Sequence, residues 1–349
     1  MTKNTFYPID NRTLEEIHSW VQLGKEPILE PNLPIVDPHH HVWHDQRGRY
    51  LFDELSEDIN SGHHILATVF IQSGHNMYRA FGPEELKSIG EVELVNGIAA
   101  MSASQQFGKV ELCAGIVGYA NLCLGSQVEP VLEALIAAGN GRLRGVRHSM
   151  IWDSVYEAYQ IPQTRHLAQD SSFKKGLSTL SKFELSFDAW LFHPQLPELI
   201  ELLRSFPSIN FVLNHVGGLL GIGDYSNDRS AVFKIWRENI YKLSQFPNLN
   251  IKLGGLGMLR CGWNFYQRSH PPSSVELSEA WKPYIEECIQ LFGVERCMFE
   301  SNFPVDKATC GYDVIWNAFK RLTKDYSIDE KNYLYKNTAS KVYRLNISN

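Results

Sequence analysis

A single (β/α)8 barrel of the TIM type is the fold class that the sequence predicts. Eight short apolar, β-branched runs alternate with segments of helical spacing, which is the pattern of parallel strands joined by right-handed crossover helices. Eight such strands are the number that closes a barrel. The alternative is an open doubly wound sheet, but its GxGxxG turn is absent after the first run. The glycine cluster at 254–257 follows the seventh run instead, where it more often lets the backbone pass close to a ligand or a strand.

The elements follow one another regularly along the chain. Residues 1–34 are predicted to form an N-terminal extension with one helix over residues 14–23, and residues 35–349 to form the barrel. Apolar runs predict strands at 35–37, 65–72, 113–119, 143–148, 185–192, 210–215, 250–253 and 297–301. Helical spacing predicts helices at 128–138, 173–182, 197–205, 232–245 and 277–292.

Composition narrows the class of partner. The chain has 349 residues, 33 Lys and Arg against 39 Asp and Glu, and a formal net charge of -6. It offers no basic stripe for a nucleic acid, and no apolar run approaches the roughly 18 residues that span a membrane. The N-terminus has no apolar signal core, and the six cysteines show no CxxC spacing. We therefore expect a cytoplasmic protein with reduced thiols and a small-molecule substrate.

The first predicted strand ends in three consecutive histidines, in the run Asp37-Pro38-His39-His40-His41. Side chains alternate along a strand, so His39 and His41 are predicted to lie on one side and His40 on the other. Two adjacent imidazoles repel each other when protonated and favour a shared cation. The pair therefore predicts a metal site, whereas His40 is expected to support the structure around it.

Polar residues recur at the ends of the other predicted strands, where a barrel gathers its catalytic side chains. The long segments 74–82, 217–228 and 260–274 also follow strands and would lie on the same rim. A single histidine at a strand end is more often a hydrogen-bonded structural residue than a ligand. The residues that converge on one mouth in this arrangement are His39, His41, Gln72, Arg147, His148, His193, His215, Lys252, Glu300 and Asn302.

Two buried cations need a partner. A guanidinium inside a strand costs free energy unless it meets a carboxylate, so Arg147 is expected either to pair with Glu300 or Asp188 or to bind an anionic substrate. Lys252 lies between two apolar residues of the seventh strand. It is expected to face the barrel interior, the alternative being an aliphatic stem that lies along the helix layer.

Five segments, taken in order, resemble the amidohydrolase-related family of metal-dependent TIM-barrel hydrolases. They are IVDPHHHVW, LRGVRH, FDAWLFHPQL, NHVGG and CMFESNFPVDK, and the resemblance covers about residues 33–345. It is to the branch that includes sugar and aromatic-acid lactonases and, more distantly, a zinc-dependent decarboxylase. The resemblance independently implies the (β/α)8 fold.

The resemblance also implies roles for individual residues. The family's first-strand metal ligands fall on His39 and His41, and its fifth-strand ligand on His193. Its sixth-strand histidine, a metal ligand or a general acid and base, falls on His215. The arginine that grips a substrate carboxylate in lactonase relatives falls on Arg147. Two neighbouring residues at the mouth, Gln72 and His148, are expected to contact the substrate.

The pattern breaks at the eighth strand, where Asn302 stands in place of the aspartate that the hydrolases use as metal ligand and base. An amide cannot accept a proton at neutral pH, although its oxygen can bind a metal or orient a water. The base is then expected among His215, Glu300 and Asp306.

Three hypotheses follow from the sequence. The first is a metal-dependent hydrolase of a small, carboxylated lactone or related cyclic ester or amide, with zinc, manganese or iron as one or two divalent ions. The second is a non-heme dinuclear iron or iron/manganese oxygenase on the same barrel, as reported for a few relatives. The third is a catalytically degenerate subunit in a hetero-oligomer with an active paralogue. In the first two cases we expect a homo-oligomer.

Overall fold

The computed structural model describes residues 12–45, 48–74, 77–154, 160 and 162–347. Within them eight parallel strands form one sheet in sequential order, each strand paired with the next. This order confirms the predicted (β/α)8 barrel. The barrel strands are β1 (Pro34–His40), β2 (His64–Ile71), β3 (Glu111–Gly118), β4 (Leu143–Val146), β5 (Ser186–Ala189), β6 (Phe211–Leu213), β7 (Leu249–Leu253) and β8 (Cys297–Phe299).

The barrel closes where the end of β1 meets the segment that follows β8. The backbone N–H of Asn302 donates to the carbonyl of His39 at 2.9 Å, and that of His41 donates to the carbonyl of Phe303 at 2.8 Å. These two bonds replace a regular ladder between the first and last strands. They bring the histidine run beside the Ser301-Asn302 segment, which is the point where the sequence departs from the family pattern.

Helices surround the barrel, and the predicted ones are confirmed within a few residues. A short hairpin, Trp43–Asp45 with Gly48–Tyr50, follows β1. The α-helices of eight or more residues are Leu14–Val21, Phe52–Ile59, Ile89–Ala103, Glu129–Gly139, Ser171–Thr179, Leu196–Ser205, Arg229–Ser244, Ser274–Phe292 and Tyr312–Leu322. The shorter ones are His215–Gly218, Asp224–Asn227, Ile328–Asn332 and Thr338–Val342, with a π-helical turn at Tyr333–Asn337.

Local sequence explains where the longest helix, Ser274–Phe292, begins and which of its faces is buried. At its start the Ser273 hydroxyl accepts from the Glu276 backbone N–H, and the Glu276 carboxylate accepts from the Ser273 N–H. This capping box satisfies donors that the first turn leaves unpaired. Further along, Leu277, Trp281 and Ile285 recur at intervals of four residues and are buried against the barrel.

The sequence did not predict the helix Ile89–Ala103. Its apolar residues are distributed around the whole helix, so no 3.6-residue periodicity marks it.

The expectation that no apolar run approaches the length of a membrane span needs a correction. Within the described part of the chain, Leu122–Gly139 has the length and composition of a membrane span. The structure divides this stretch into a 3-10 segment, Leu122–Val128, and a helix, Glu129–Gly139, that packs on the barrel. The 3-10 segment is itself kinked at Gly125, whose φ is 60°.

The N-terminal extension is bonded to the barrel's last long helix. Lys320 on that helix donates to the carbonyls of Leu29 at 2.7 Å and Glu30 at 2.9 Å, and lies 2.8 Å from Nδ1 of His63. The C-terminal helix, Thr338–Val342, closes the end of the barrel opposite to the histidine run. There the terminal helix packs into an interior cluster of Val36, Val69, Ile71, Val117, Val212, Met298, Ala339, Val342 and Tyr343. All six cysteines are free thiols.

Candidate active site

The two histidines of the HxH pair face the barrel interior, as their alternation predicts. Their Nε2 atoms lie 3.2 Å apart, and Nδ1 of His41 lies 2.8 Å from the carbonyl oxygen of Ile71. The pairing of β1 with β2 shifts register between Asp37 and His40. As a result Val36 and His39, three residues apart, both point inward, which strict alternation would not allow.

Glu300 joins His39 to His215. One carboxylate oxygen, Oε2, lies 2.7 Å from Nδ1 of His39, and the other, Oε1, lies 2.7 Å from Nδ1 of His215. The ring centroids of the two histidines are 4.4 Å apart. All three side chains are almost fully buried. Three separate strand ends thus place two imidazoles and a carboxylate in mutual contact.

The glycine cluster after β7 makes room for this group. A Cβ at Gly254 would lie 2.5 Å from Cγ of Glu300, and one at Gly255 would lie 2.4 Å from Cγ of His215. Neither distance is sterically allowed, and Gly255 also has a φ of 65°. The sequence left open whether these glycines let the backbone pass close to a ligand or to a strand. The geometry supports close approach to side chains at the ends of the neighbouring strands.

Lys252 points into the barrel, as expected, and lies directly beside His39. Its Nζ donates to Oδ2 of Asp188 at 2.8 Å and lies 3.2 Å from Nδ1 of His39. The lysine and the aspartate are both inaccessible to solvent. The sequence did not predict this pair of residues.

Arg147 reaches the same group from β4. Its NH1 lies 3.4 Å from Nε2 of His39, and its NH2 donates to the backbone carbonyl of Gln72. Burial lowers the pKa of its guanidinium to about 10. Among the hydrogen bonds and ion pairs of the described residues, Arg147 has no direct carboxylate partner, although the charges of Asp188 and Glu300 act against the lowering of its pKa. The alternative of a direct ion pair with Glu300 or Asp188 is therefore not seen. The Nε of Arg147 is buried and has no hydrogen-bond partner among the described residues.

Asn302 is tied to a second carboxylate. Its Nδ2 donates to Oδ1 of Asp306 at 2.8 Å, and the backbone N–H of Gly257 donates to Oδ2 of the same residue at 2.9 Å. Burial raises the pKa of Asp306 to about 8. The amide oxygen of Asn302 is buried without a hydrogen-bond partner among the residues described, which is the arrangement of an oxygen that is available to a ligand.

His193 has no hydrogen bond or ring contact with this group among the described contacts. It stands four residues beyond the end of β5, in a 3-10 turn that begins at the residue itself. Its Nδ1 accepts from the Leu220 backbone N–H at 3.2 Å, its ring packs edge-on against Tyr225, and burial lowers its pKa to about 4. None of its described contacts joins it to His39, so its role as a metal ligand stays a prediction.

The two expected substrate contacts are engaged by the protein itself. Nδ1 of His148 accepts from the Leu122 backbone N–H at 3.2 Å, and its ring packs between Tyr119 and Phe173. Oε1 of Gln72 accepts from the Gly74 N–H at 2.6 Å. Substrate binding by these two residues also stays a prediction.

Burial and charge keep the histidines of the group neutral. Burial, followed by the nearby positive charges of Lys252 and Arg147, holds the pKa values of His39 and His215 well below the ordinary range. Burial raises the pKa of Glu300 to about 8, with the charge of Lys252 acting against it. Neutral imidazoles carry free lone pairs, and these are the form in which histidine binds metals.

The group fits a divalent cation. One donor atom from each of His39, His215 and Glu300 lies within 4.8 Å of the others. Oε2 of Glu300 is buried, and its contact with His39 lacks hydrogen-bond geometry. On the other side of the His39 ring, the two Nε2 atoms of the HxH pair are at roughly the spacing of two nitrogen ligands on one zinc ion. Lys252 and Arg147 beside the group oppose a further positive charge.

Sequence comparison identifies the family. The sequence profile of the amidohydrolase family matches residues 36–345. The chain is 31% identical to the uncharacterised protein y4mH of Sinorhizobium fredii over 329 residues, which are 90% of this chain and 99% of that protein. The chain belongs to the amidohydrolase family. An L-fucono-1,5-lactonase of Burkholderia multivorans is 23% identical over 322 residues, 89% of this chain and 96% of that enzyme.

Solved structures support the fold of this amidohydrolase. An amidohydrolase from Burkholderia multivorans solved with bound zinc has a TM-score of 0.69 at 20% identity, covering 89% of this chain and 99% of that one. A putative 2-pyrone-4,6-dicarboxylic acid hydrolase from Pseudomonas putida has a TM-score of 0.59 at 16% identity, covering 90% and 99%. Membership of the family supports a hydrolytic enzyme, and the donor group together with the zinc-bound neighbour supports a divalent metal.

One part of the mouth was missed by sequence reasoning. The ring of Trp190 packs edge-on against His215, with centroids 4.8 Å apart. The guanidinium of Arg260 lies 5.7 Å from the centroid of the Trp190 ring. Arg260 lies in the segment 260–274, which was predicted as a rim loop, but nothing in its local sequence indicates that it faces the mouth.

Proposed function

We propose that this amidohydrolase is a metal-dependent hydrolase of a small, carboxylated lactone. One observation carries the proposal: neutral imidazoles and a carboxylate meet at the barrel mouth directly beside the buried guanidinium of Arg147, which has no direct carboxylate partner among the described residues. The imidazoles and the carboxylate suit a metal, and the guanidinium suits an anionic substrate. The names of the lactonase relatives and of the pyrone hydrolase neighbour agree with this substrate class.

His39, through Nδ1, His215 and Glu300 would hold the metal. His41 lies at the opposite nitrogen of the His39 ring and would not share this ion, so its role as a ligand stays a prediction. His193 and Asn302 remain predicted ligands. A bound divalent ion polarises a carbonyl and lowers the pKa of its water from about 16 toward about 7. The residues of this chain would supply proton transfer and substrate orientation.

Glu300 is the group that we propose holds the proton. Its Oε1 lies 2.7 Å from Nδ1 of His215, so a proton can move between the carboxylate and the imidazole without a change of position. Its pKa of about 8 is closer to neutral pH than the pKa of an ordinary carboxyl group. In this proposal Glu300 takes over the task that Asn302 cannot perform.

Arg147 would orient the substrate and stabilise negative charge. Its unpartnered Nε is a donor that remains for a ligand, whereas NH1 contacts His39 and NH2 donates to the backbone of Gln72. A guanidinium binds carboxylate in a bidentate manner. Nearby, Arg260 would add a second positive charge above Trp190.

The test combines metal analysis with a lactone panel. The purified protein is analysed for zinc, manganese and iron, and acid release is followed with aldonolactones, their uronic-acid counterparts and pyrone carboxylates. We expect about one divalent ion per chain, hydrolysis of a carboxylated lactone, and loss of both in His39→Ala. Absence of bound metal together with full activity of His39→Ala would refute the mechanism.

The oxygenase hypothesis has one observation in its favour, which is that Asn302 replaces the hydrolytic aspartate. It predicts about two redox-active ions per chain and substrate-dependent oxygen uptake. A single zinc ion would eliminate it. Isolation of a stable complex with a paralogue, whose activity survives His39→Ala, would instead favour the degenerate-subunit hypothesis.

A further inference from the structure

We infer that Tyr343, near the end of the chain, is a positioning residue for the active mouth, which it reaches from the opposite end of the barrel. The inference rests on the proposed function, which makes this end of the barrel the active site. Tyr343 directly follows the terminal helix and is fully buried. It packs with Val342 and Ala339 into the interior cluster that closes the barrel from below.

The hydroxyl of Tyr343 donates to Asp188. The distances are 2.9 Å to Oδ2 and 3.1 Å to Oδ1. The same carboxylate accepts from Nδ2 of Asn214 at 3.0 Å and from Nζ of Lys252 at 2.8 Å. Two neutral donors and one cation therefore fix Asp188 inside the barrel, where its carboxylate is inaccessible to bulk solvent.

Lys252 connects this carboxylate to the mouth. Its Nζ lies 5.2 Å from the centroid of the Tyr343 ring and 3.2 Å from Nδ1 of His39. The ammonium is thus bounded by an aromatic face on one side, Asp188 on another and the imidazole of His39 on a third. All of these groups are inaccessible to solvent.

The position of the ammonium affects both nitrogens of His39. When Lys252 donates to Nδ1, that nitrogen must carry the lone pair, and the proton of the neutral ring lies on Nε2 facing His41. NH1 of Arg147, 3.4 Å from this Nε2, favours the opposite tautomer, in which Nε2 accepts. When the ammonium stays on Asp188, Nδ1 is free for another partner. Tyr343 helps to determine the balance, because it contacts the ammonium through its ring and stabilises Asp188 through its hydroxyl.

The test compares two phenylalanine variants in the same part of the chain. Tyr343→Phe removes the hydroxyl that bonds Asp188. Tyr335→Phe removes another buried hydroxyl, which lies 2.9 Å from Oγ1 of Thr323 and does not touch the mouth. A merely structural role predicts similar effects of the two changes on stability and none on the chemistry.

The first measurement needs no substrate. Ring nitrogen shifts of 15N-labelled histidines report which nitrogen carries the proton, and His39 is assigned by its loss in His39→Asn. We expect the His39 resonances to move in Tyr343→Phe and to remain in place in Tyr335→Phe. Unchanged His39 resonances in a folded Tyr343→Phe protein would overturn the inference, whether or not any lactone is hydrolysed.

The second measurement uses a lactone that the wild-type enzyme hydrolyses. We expect kcat to fall about 10- to 100-fold in Tyr343→Phe with little change in KM, as for loss of a group that orients a ligand of the reacting centre. A change in KM alone would contradict positioning. If no lactone in the panel is hydrolysed but the His39 resonances move, the proposed function fails and the positioning role stands.

A second variant covers the case in which Tyr343→Phe does not fold. 3-Fluorotyrosine at position 343 keeps the ring and the hydroxyl but makes the hydroxyl a stronger donor. The His39 resonances must then move relative to wild type. Their coincidence with the wild-type positions would again overturn the inference.

Discussion

The two sides of β1 place chemically identical residues in opposite surroundings. On the inward side, His39 lies within 3.5 Å of Arg147, Lys252 and Glu300. On the outward side, Nε2 of His40 lies 2.9 Å from Oγ1 of Thr68 and 3.8 Å from Sγ of Cys113. One histidine is therefore in contact with three ionisable groups, whereas the next contacts a hydroxyl and a thiol.

This difference shows that orientation, rather than residue type or burial, decides the chemistry. Both histidines are fully buried. Burial is the first cause of the lowered pKa in each, but only for His39 do neighbouring positive charges add to it. The register shift near Pro38 sets which residue faces inward, so a change of one residue in the strand would exchange the two environments.

The largest effect is expected when the same substitution is made on each side of the strand. His39→Asn removes a candidate metal ligand and the contacts with Glu300 and Lys252, and should lower kcat/KM by about 10²–10⁴. His40→Asn should leave kcat/KM within about twofold. Steady-state kinetics on the lactone identified in the panel check both. Equal losses of activity in the two variants would mean that the inward side has no special role.

A second prediction concerns the buried charge beneath the inward side. Lys252→Met keeps an aliphatic chain but leaves Asp188 buried without its cation, which should lower the free energy of unfolding by about 3–5 kcal/mol. Lys307→Met is the matched control, because it breaks a buried ion pair with Asp58, at 2.8 and 2.9 Å, outside the group around His39.

Both lysine variants should lose stability in urea unfolding, but only Lys252→Met should change the affinity of the protein for zinc. Removal of a positive charge near His39 favours cation binding, so we expect tighter binding in calorimetry once the folded fraction is taken into account. Equal zinc affinity in Lys252→Met and Lys307→Met would show that the donor group does not bind metal next to Lys252.

The inward pair and the barrel were predictable from the sequence because they depend on short-range patterns. Alternation along β1 placed His39 and His41 together, and β-branched runs located strands such as His64–Ile71 to within a residue. The contact between Tyr343 and Asp188 was not predictable, since it joins residues 155 positions apart through the closure of the barrel. His193 illustrates a related limit, because the chain leaves the strand four residues before it.

The smallest effect is a pH dependence that belongs to the outward side. Burial lowers the pKa of His40 from 6.5 to about 4, so between these values the unfolded chain binds a proton that the native protein does not. The stability linked to this residue is fully present above pH 6.5 and is lost as the pH falls toward 4, at no more than about 1.4 kcal/mol per pH unit. The non-titrating variant His40→Gln lacks this term. Urea unfolding at pH 7 and pH 5 should therefore show a stability difference between wild type and variant that shrinks at the lower pH, whereas a constant difference would mean that His40 is not held neutral.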